Sequence, residues 1–250
     1  MRFALDDDEV AFRDAVRDLL AKEPPGAPGT YDALVGMGVL SVLVPEADGG
    51  LGMDEVAMVA ILEETGYVAL EHPILTDTMG GDPDRLALGA AAQLVGLGQR
   101  MLDMTVDYAK QREQFGVPIG SFQAVKHHLA DALKDIAFAR PAVHRAASTL
   151  DPRDISMAKA MASDAARFSG RQALQCHGAI GYTVEHDLHR YLKRTWTLAR
   201  THGDAAWHRE RIATLLMLAP ALASLDTASA SSSRRRGEAS RLRPDSGRHD

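Results

Sequence analysis

The chain carries, at residues 84–112, the uninterrupted stretch DRLALGAAAQLVGLGQRMLDMTVDYAKQR. Apolar residues recur in it at steps of three and four, and no proline interrupts them. A stripe with this spacing lies along one side of a helix, where it can pack against neighbouring helices. The stretch therefore predicts a long bundle helix, whose stripe consists of Leu86, Ala90, Leu94, Leu97, Met101 and Tyr108.

The residues before this stretch predict a small helical unit. Residues 6–9 have the spacing of a capping box, and Asp54 can cap a later helix that Gly66 would end. Residues 39–44 are mostly apolar, which predicts a buried extended segment. A short connector without helical periodicity is expected at 71–83.

The residues after it predict the rest of a bundle. One helix is expected to begin at Gly120–Ser121 and to kink or split at Pro141, and another to begin with Asp151 capping before Pro152. Two shorter helices should complete the bundle. The helix that begins at Gly120–Ser121 is expected to bury one face, which consists of Phe122, Val125, Leu129, Leu133 and Ile136.

These elements define an all-α fold. We expect an N-terminal helical domain over 1–75, a C-terminal four-helix bundle over 84–220 and a disordered tail over 222–250, where alanine, serine and arginine replace the periodic pattern. The composition agrees, because alanine is abundant and aromatic residues make up only 5% of the chain.

Charge and cysteine usage argue against several classes of function. A formal net charge of -6 offers no general basic surface for nucleic acid or an anionic membrane. Cys176 is the only cysteine, so the chain cannot form an intramolecular disulfide or a cysteine-rich zinc site, and no metal site is expected. No stretch has the roughly 20 apolar residues of a membrane span, so a cytoplasmic location is expected.

Two glycine-bearing segments between predicted helices carry the residues with the clearest chemical meaning. Residues 112–123 read REQFGVPIGSFQ, and residues 175–182 read QCHGAIGY. The pyrophosphate of a dinucleotide needs planar, bidentate donors and close approach of the main chain, which Arg112 and the turn over 178–181 can provide. The same residues could also serve only to shape the loops of a bundle.

Together with residues 45–52, which read PEADGGLG, these segments resemble the signature motifs of the acyl-CoA dehydrogenase family over roughly residues 5–218. The resemblance implies FAD as cofactor, an acyl-CoA as substrate and an electron-transfer flavoprotein as electron acceptor. It also implies a homo- or hetero-oligomer, because the family's arginine at this position reaches the flavin of a neighbouring subunit. The residues implied around FAD are Arg112, Phe115, Gln123, Gln175, Gly178, Ala179 and Gly181, with Ala179 in place of the family's usual second glycine.

The catalytic base is the first departure from the family pattern. Family members remove an α-proton from the acyl-CoA thioester with a glutamate. At the commoner position of that glutamate this sequence has His202, which the resemblance therefore implies as the candidate base. The family's alternative position falls near Leu86, so neither place supplies a glutamate.

The second departure is the middle of the chain. The family inserts a β-domain, on the order of a hundred residues, at a point that corresponds here to residues 74–84. The resemblance implies FAD-dependent α,β-dehydrogenation of an acyl-CoA thioester. The alternatives are a non-catalytic helical subunit that packs with a complete dehydrogenase chain, and a degenerate relative.

Overall fold

The computed structural model describes residues 4–22, 27, 29–71 and 73–217. The tail predicted over 222–250 lies outside the described residues. Within the described part the chain is mostly helical, which confirms the all-α fold. The only strands there are β1 (Glu113–Gln114) and β2 (Val117–Pro118), which pair antiparallel, and no β-domain is present among these residues.

Eight α-helices are described from end to end, and residues 205–217 are also helical. Residues up to Arg209 form one compact unit, and residues 210–217 are the described part of a second unit. The division into domains over 1–75 and 84–220 stays a prediction. The helices are α1 (Asp7–Lys22), α2 (Thr30–Gly36), α3 (Glu55–Tyr67), α4 (Ile74–Met79), α5 (Pro83–Gln111), α6 (Gln123–Thr149), α7 (Pro152–His177) and α8 (Leu188–Arg200).

Local signals for helix ends agree with the structure. In the capping box, the Glu9 amide donates to the Asp6 carboxylate at 2.9 Å, and the Asp6 amide donates to the Glu9 carboxylate at 2.9 Å. Asp54 accepts from the amides of the first turn of α3, and Asp151 accepts from the Arg153 amide at the start of α7. The sequence predicts these caps correctly because each one depends only on residues a few positions apart.

Helix α5 is the centre of the compact unit. It packs against α3, α6, α7 and α8, and every residue from Ala87 to Gly98 is buried. A helix covered on all sides needs more than one apolar stripe. The predicted stripe therefore describes only one of the faces that α5 buries.

The backbones of α3 and α5 touch at two glycines. A Cβ atom added to Gly96 would lie 2.0 Å from the Glu63 carbonyl oxygen, and one added to Gly66 would lie 2.2 Å from the Gln93 carbonyl oxygen. Gly66 lies inside α3 and does not end it, so the prediction of a stop there was wrong. Its absent side chain permits the helix contact.

Replacing Gly96 with alanine is expected to lower the free energy of unfolding by about 2 kcal/mol, because the new methyl group must push two helix backbones apart. Urea denaturation of the wild type and the variant measures the difference. Gly36→Ala is the matched control, since nothing lies within 4 Å of a Cβ added there. Equal midpoints for Gly96→Ala and the wild type would contradict the close helix contact.

Two predictions for the N-terminal half were wrong in part. Residues Val39–Ser41 form a 3-10 turn where an extended segment was expected, because Gly38, at a φ of 87°, turns the chain just before them. Val39 and Val42 are nonetheless buried. The expected connector contains α4, whose Ile74 and Met79 are buried in the core. A helix of one or two turns is too short to show periodicity, and its packing on α5 stabilises it.

Helix α6 differs most from its prediction. It begins at Gln123 and passes through Pro141 without a break. Proline has no N–H to bond the Ala137 carbonyl, but both residues are exposed, so water can satisfy that carbonyl. On the expected buried face only Ile136 is buried, while Leu133 is 51% exposed. Phe122 and Leu133 are therefore exposed on the single chain, while Val125 and Leu129 are partly buried.

None of the helices in the described part of the chain is long and apolar enough to cross a membrane.

Candidate functional site

A tight hairpin carries the first candidate segment. The strands β1 and β2 pair Gln114 with Val117, which leaves Phe115 and Gly116 as a two-residue loop, with φ of 56° and 80°. Positive φ at both positions is typical of the turn that suits a short hairpin. At this tip the Phe115 side chain is 93% exposed, so it is presented outward from the single chain.

The second candidate segment begins where α7 ends. Gly178 follows the helix with φ 62° and ψ -139°, and residues Gly178–Tyr182 form a 3-10 turn. Nothing lies within 4 Å of a Cβ built on Gly178, so the main chain there is open to close approach by a ligand. Gly181 is buried, and a Cβ added there would lie 2.9 Å from the Cβ of His177.

Two cavities bring most of the predicted residues together at this end of α5 and α7. A cavity of about 690 Å³ is lined by Arg112 and Ala179. A smaller cavity, of about 290 Å³, is lined by Phe115 and Gln175. Gly178 and Gly181 flank Ala179 in the chain. The two segments, sixty residues apart in sequence, thus meet in space.

Gln123 takes a different local partner. Its amide nitrogen donates to the imidazole Nε2 of His127 at 3.0 Å, one helical turn further along α6. Both side chains are exposed. A ligand would have to replace this contact, or use the carbonyl oxygen of the Gln123 amide.

His177 is a site residue that the sequence analysis missed. Its Nδ1 lies 2.8 Å from the Ala173 carbonyl oxygen, so Nδ1 carries the proton and Nε2 is an acceptor. Burial lowers the pKa of His177, which favours this neutral form. Nε2 is buried and has no hydrogen-bond partner among the described residues. A lone histidine at a helix end gave no sequence signal for such a role.

Aromatic contacts hold His177 in place beside the larger cavity. Its ring stacks on Tyr108 with a centroid distance of 4.4 Å, and His186 meets it edge-on at 4.6 Å. Tyr108 and His177 both line that cavity. The unpartnered Nε2 atom is therefore a buried acceptor, which a ligand hydroxyl or amine can reach only if a neighbouring ring shifts.

The residues present fit one end of an FAD molecule. Arg112 is exposed and has no ion-pair partner among the described residues, so its guanidinium group is available to a pyrophosphate. The open main chain at Gly178 suits the phosphates, and the acceptor on His177 suits the adenosine. The described residues contain no β-domain.

The loop that carries His202 is separate from these two cavities. His202 has a φ of 57°, and its carbonyl oxygen accepts from His208 Nε2 at 2.9 Å. Burial lowers the pKa of the His202 imidazole, and the charge of Lys159 lowers it further. His202 is therefore neutral at pH 7 and able to accept a proton.

Lys159 anchors the same loop from α7. Its side chain is fully buried, and its ammonium group donates to the carbonyl oxygens of Leu198 and Gly203, each at 3.0 Å, and to the Ser163 hydroxyl at 3.3 Å.

Across residues 4–22, 27, 29–71 and 73–217, no group of three or more His, Cys, Asp or Glu side chains could hold a metal ion.

Comparison with known proteins places this geometry in a family. Residues 83–217 match the family model described as the acyl-CoA dehydrogenase C-terminal domain. Acyl-CoA dehydrogenase IpdE2 of Mycolicibacterium smegmatis is 41% identical over 147 residues, which cover 58% of this chain and 45% of that protein. Acyl-CoA dehydrogenase FadE34 of Mycobacterium tuberculosis is 35% identical over 211 residues, or 76% of this chain and 29% of that protein.

Solved structures show the same fold. The ChsE4-ChsE5 complex from Mycobacterium tuberculosis has a TM-score of 0.77 and 18% sequence identity, and the match covers 87% of this chain and 99% of that chain. The matched part of the present chain covers less than half of each curated relative named above. The family match nevertheless extends over more than half of this sequence. The chain belongs to the acyl-CoA dehydrogenase family.

Proposed function

We propose that this chain is a subunit of an FAD-dependent acyl-CoA dehydrogenase and that it supplies one side of a flavin site. The observation that carries the proposal is the meeting of residues 112–115 and 175–179 around two cavities. A partner chain would complete the enclosure of the flavin ring. The assembly would act on an acyl-CoA and pass electrons to an electron-transfer flavoprotein.

The chain's own residues would bind and orient the cofactor. Arg112 would pair with the pyrophosphate, Gly178 and Ala179 would let the main chain approach the phosphates, and His177 Nε2 would accept from the adenosine. Gly181 and Gln175 would support the same turn, while Phe115 would pack on the nucleotide. Bound FAD supplies a hydride acceptor for the β-hydrogen of the substrate.

The proposed base lies in a separate loop. His202 is neutral at pH 7 and occupies the family's usual glutamate position, so it can take the substrate's α-proton. Catalysis that depends on His202 would then slow as the pH falls below the pKa of its imidazole. That pKa lies below the ordinary 6.5, because burial and Lys159 both disfavour the charged form.

A non-catalytic subunit is the second candidate function. Apolar side chains that a single chain leaves open favour it: Leu133 and Phe138 on α6 are 51% and 65% exposed, and Trp196 on α8 is 53% exposed. Apolar side chains that form a larger exposed patch mark protein interfaces. ChsE4 and ChsE5 form a complex with each other, and a comparable assembly is what we propose for this chain.

The flavin half-site can be tested on the purified 250-residue chain. Because the proposed half-site would receive only the adenosine and pyrophosphate end of FAD, ADP should bind about as tightly as FAD, and riboflavin should not bind. Calorimetry measures these affinities, and light scattering gives the oligomeric mass. A chain with intact helicity that binds neither ADP nor FAD, as a monomer or an oligomer, would overturn the half-site. Flavin retained after desalting and bleached by an acyl-CoA would favour the catalytic function over the non-catalytic one.

A further inference from the structure

A third cavity, of about 490 Å³, lies among α1, α3, α5, α6 and α8. It shares no lining residue with the two cavities of the proposed flavin site. Arg100 in this cavity and Arg112 in the flavin site are twelve residues apart, roughly 18 Å along α5 at 1.5 Å per residue. The cavity is therefore a separate place on the molecule.

The charges that line this cavity do not balance. Arg17 pairs with Glu64 at 2.5 Å, and Arg140 pairs with Glu63 at 2.7 Å. Arg100 is the third arginine of the lining, and the described residues place no carboxylate within ion-pair distance of it. The lining itself contains three arginines and two glutamates, and Asp14, outside the lining, also pairs with Arg17 at 3.1 Å.

Aromatic rings hold Arg100 in a defined position. Its guanidinium carbon lies 5.3 Å from the ring centroid of Tyr67 and 5.9 Å from that of Tyr191. Burial acts to lower the pKa of Arg100, but hydrogen bonds with the two tyrosines outweigh it, and the pKa is raised. The Tyr67 hydroxyl in turn donates to the Asp103 carboxylate at 2.9 Å. Arg100 therefore stays charged and is oriented before any ligand arrives.

The same carboxylate has a further donor. Asp103 accepts from the Gln99 amide at 2.9 Å as well as from Tyr67. It does not line the cavity. The cavity surface also includes the apolar side chains of Leu20 and Val68 beside the faces of the two tyrosines.

We propose that this cavity binds a small organic monoanion, with a carboxylate that pairs with Arg100 and an apolar body that lies against Leu20, Val68 and the tyrosine rings. Its volume lies in the range of small-molecule sites. The single charge of Arg100, which has no carboxylate within ion-pair distance among the described residues, matches one carboxylate. A phosphate dianion would exceed that charge and would face Glu63 and Glu64. The planar guanidinium group matches a carboxylate in a bidentate arrangement.

Octanoate is a suitable probe, because it joins one carboxylate to a short apolar chain. Titration of the full-length chain in a calorimeter should show octanoate binding at least about tenfold more tightly than octanamide, which has the same body without the charge. Arg100→Gln should weaken octanoate about tenfold and leave octanamide unchanged. Arg145→Gln, on the exposed surface of α6, should bind both as the wild type does.

A second variant tests the site independently, in case Arg100→Gln does not fold. Ala21 lines the cavity and is exposed at the end of α1, so Ala21→Trp narrows the cavity while keeping Arg100 in place. Loss of octanoate binding in Ala21→Trp, with an unchanged circular dichroism spectrum, would support the site. Both variants should still bind ADP as the wild type does, which separates this inference from the flavin half-site.

Several results would overturn the proposal. Octanoate that does not bind, or binds no better than octanamide, would remove the role of the charge. Octanoate affinity unchanged in both Arg100→Gln and Ala21→Trp would place the ligand elsewhere. Competition by inorganic phosphate at the same concentration as octanoate would show a simple anion site without an apolar subsite.

Discussion

Arg112→Ala is expected to weaken the binding of FAD and of ADP by roughly ten- to a hundredfold, and to leave the helix content unchanged. A charge-assisted hydrogen bond contributes about 1.5–3 kcal/mol, and each 1.4 kcal/mol is a factor of ten in the dissociation constant. Arg112 is exposed at the end of α5, and the described residues hold no ion-pair partner for its side chain. Its truncation therefore removes no interaction on which the fold depends.

Two further variants make this result specific. Arg112→Lys keeps the charge but loses the planar, bidentate geometry, so its affinity should lie between those of the wild type and Arg112→Ala. Arg145→Ala removes an exposed arginine near the far end of α6 and should not change either affinity. Unchanged FAD and ADP affinity in a helical Arg112→Ala protein would remove Arg112 from the cofactor site.

The second large effect concerns Lys159 and pH. Raising the pH from about 8 to about 10.5 is expected to stabilise the wild type relative to Lys159→Met by up to about 3 kcal/mol. Burial of this fully enclosed side chain lowers its pKa from 10.5 to about 8. Methionine is the comparison because it fills nearly the same space without a titrating group.

The sign follows from where the proton is held. Below pH 8 the folded and the unfolded chain both carry a charged Lys159, and the folded chain bears the full cost of burying that charge. Between pH 8 and 10.5 the folded chain has released the proton and the unfolded chain still holds it. The unfolded state then binds more protons, so the free energy of unfolding rises with pH. Above 10.5 the gain is complete.

Urea denaturation at pH 7.5, 9 and 10.5 measures the effect as the difference between the two proteins, in which other titrating groups cancel. Lys193→Met, at an exposed position on α8, is the control and should follow the wild type at every pH. Parallel profiles for the wild type and Lys159→Met would contradict the lowered pKa. As an independent readout by NMR, the pKa of His202 should rise in Lys159→Met, because the neighbouring positive charge is gone.

The two loops of the proposed flavin site could be identified from the sequence because their signal is local. The order of residues in 112–123 and 175–182 identifies the loops, and the structure places both loops at the same end of α5 and α7. The acceptor on His177 could not be anticipated. Its importance depends on a carbonyl one turn earlier, on the ring of Tyr108, and on the absence of a partner for Nε2 among the described residues.

The face of α6 that was predicted to be buried shows how a local pattern can also mislead. Its apolar periodicity is real, but Leu133 is 51% exposed in the single chain, and of the predicted face only Ile136 is buried. Periodicity reports that one side of a helix is apolar, and it does not say whether that side packs against the same chain or against another. The prediction of a buried face was therefore wrong in part for the chain on its own.

By itself the sequence determined the all-α class, the long helices with their caps, and the family, since these depend on residues close together in the chain. Only the tertiary structure decided that α3 and α5 touch through Gly66 and Gly96, that Lys159 is buried beneath the His202 loop, and that Arg100 lies between two tyrosines. Each of these depends on groups distant in sequence that meet only when the helices pack. Burial and charge balance are properties of that packing, so no local pattern contains them.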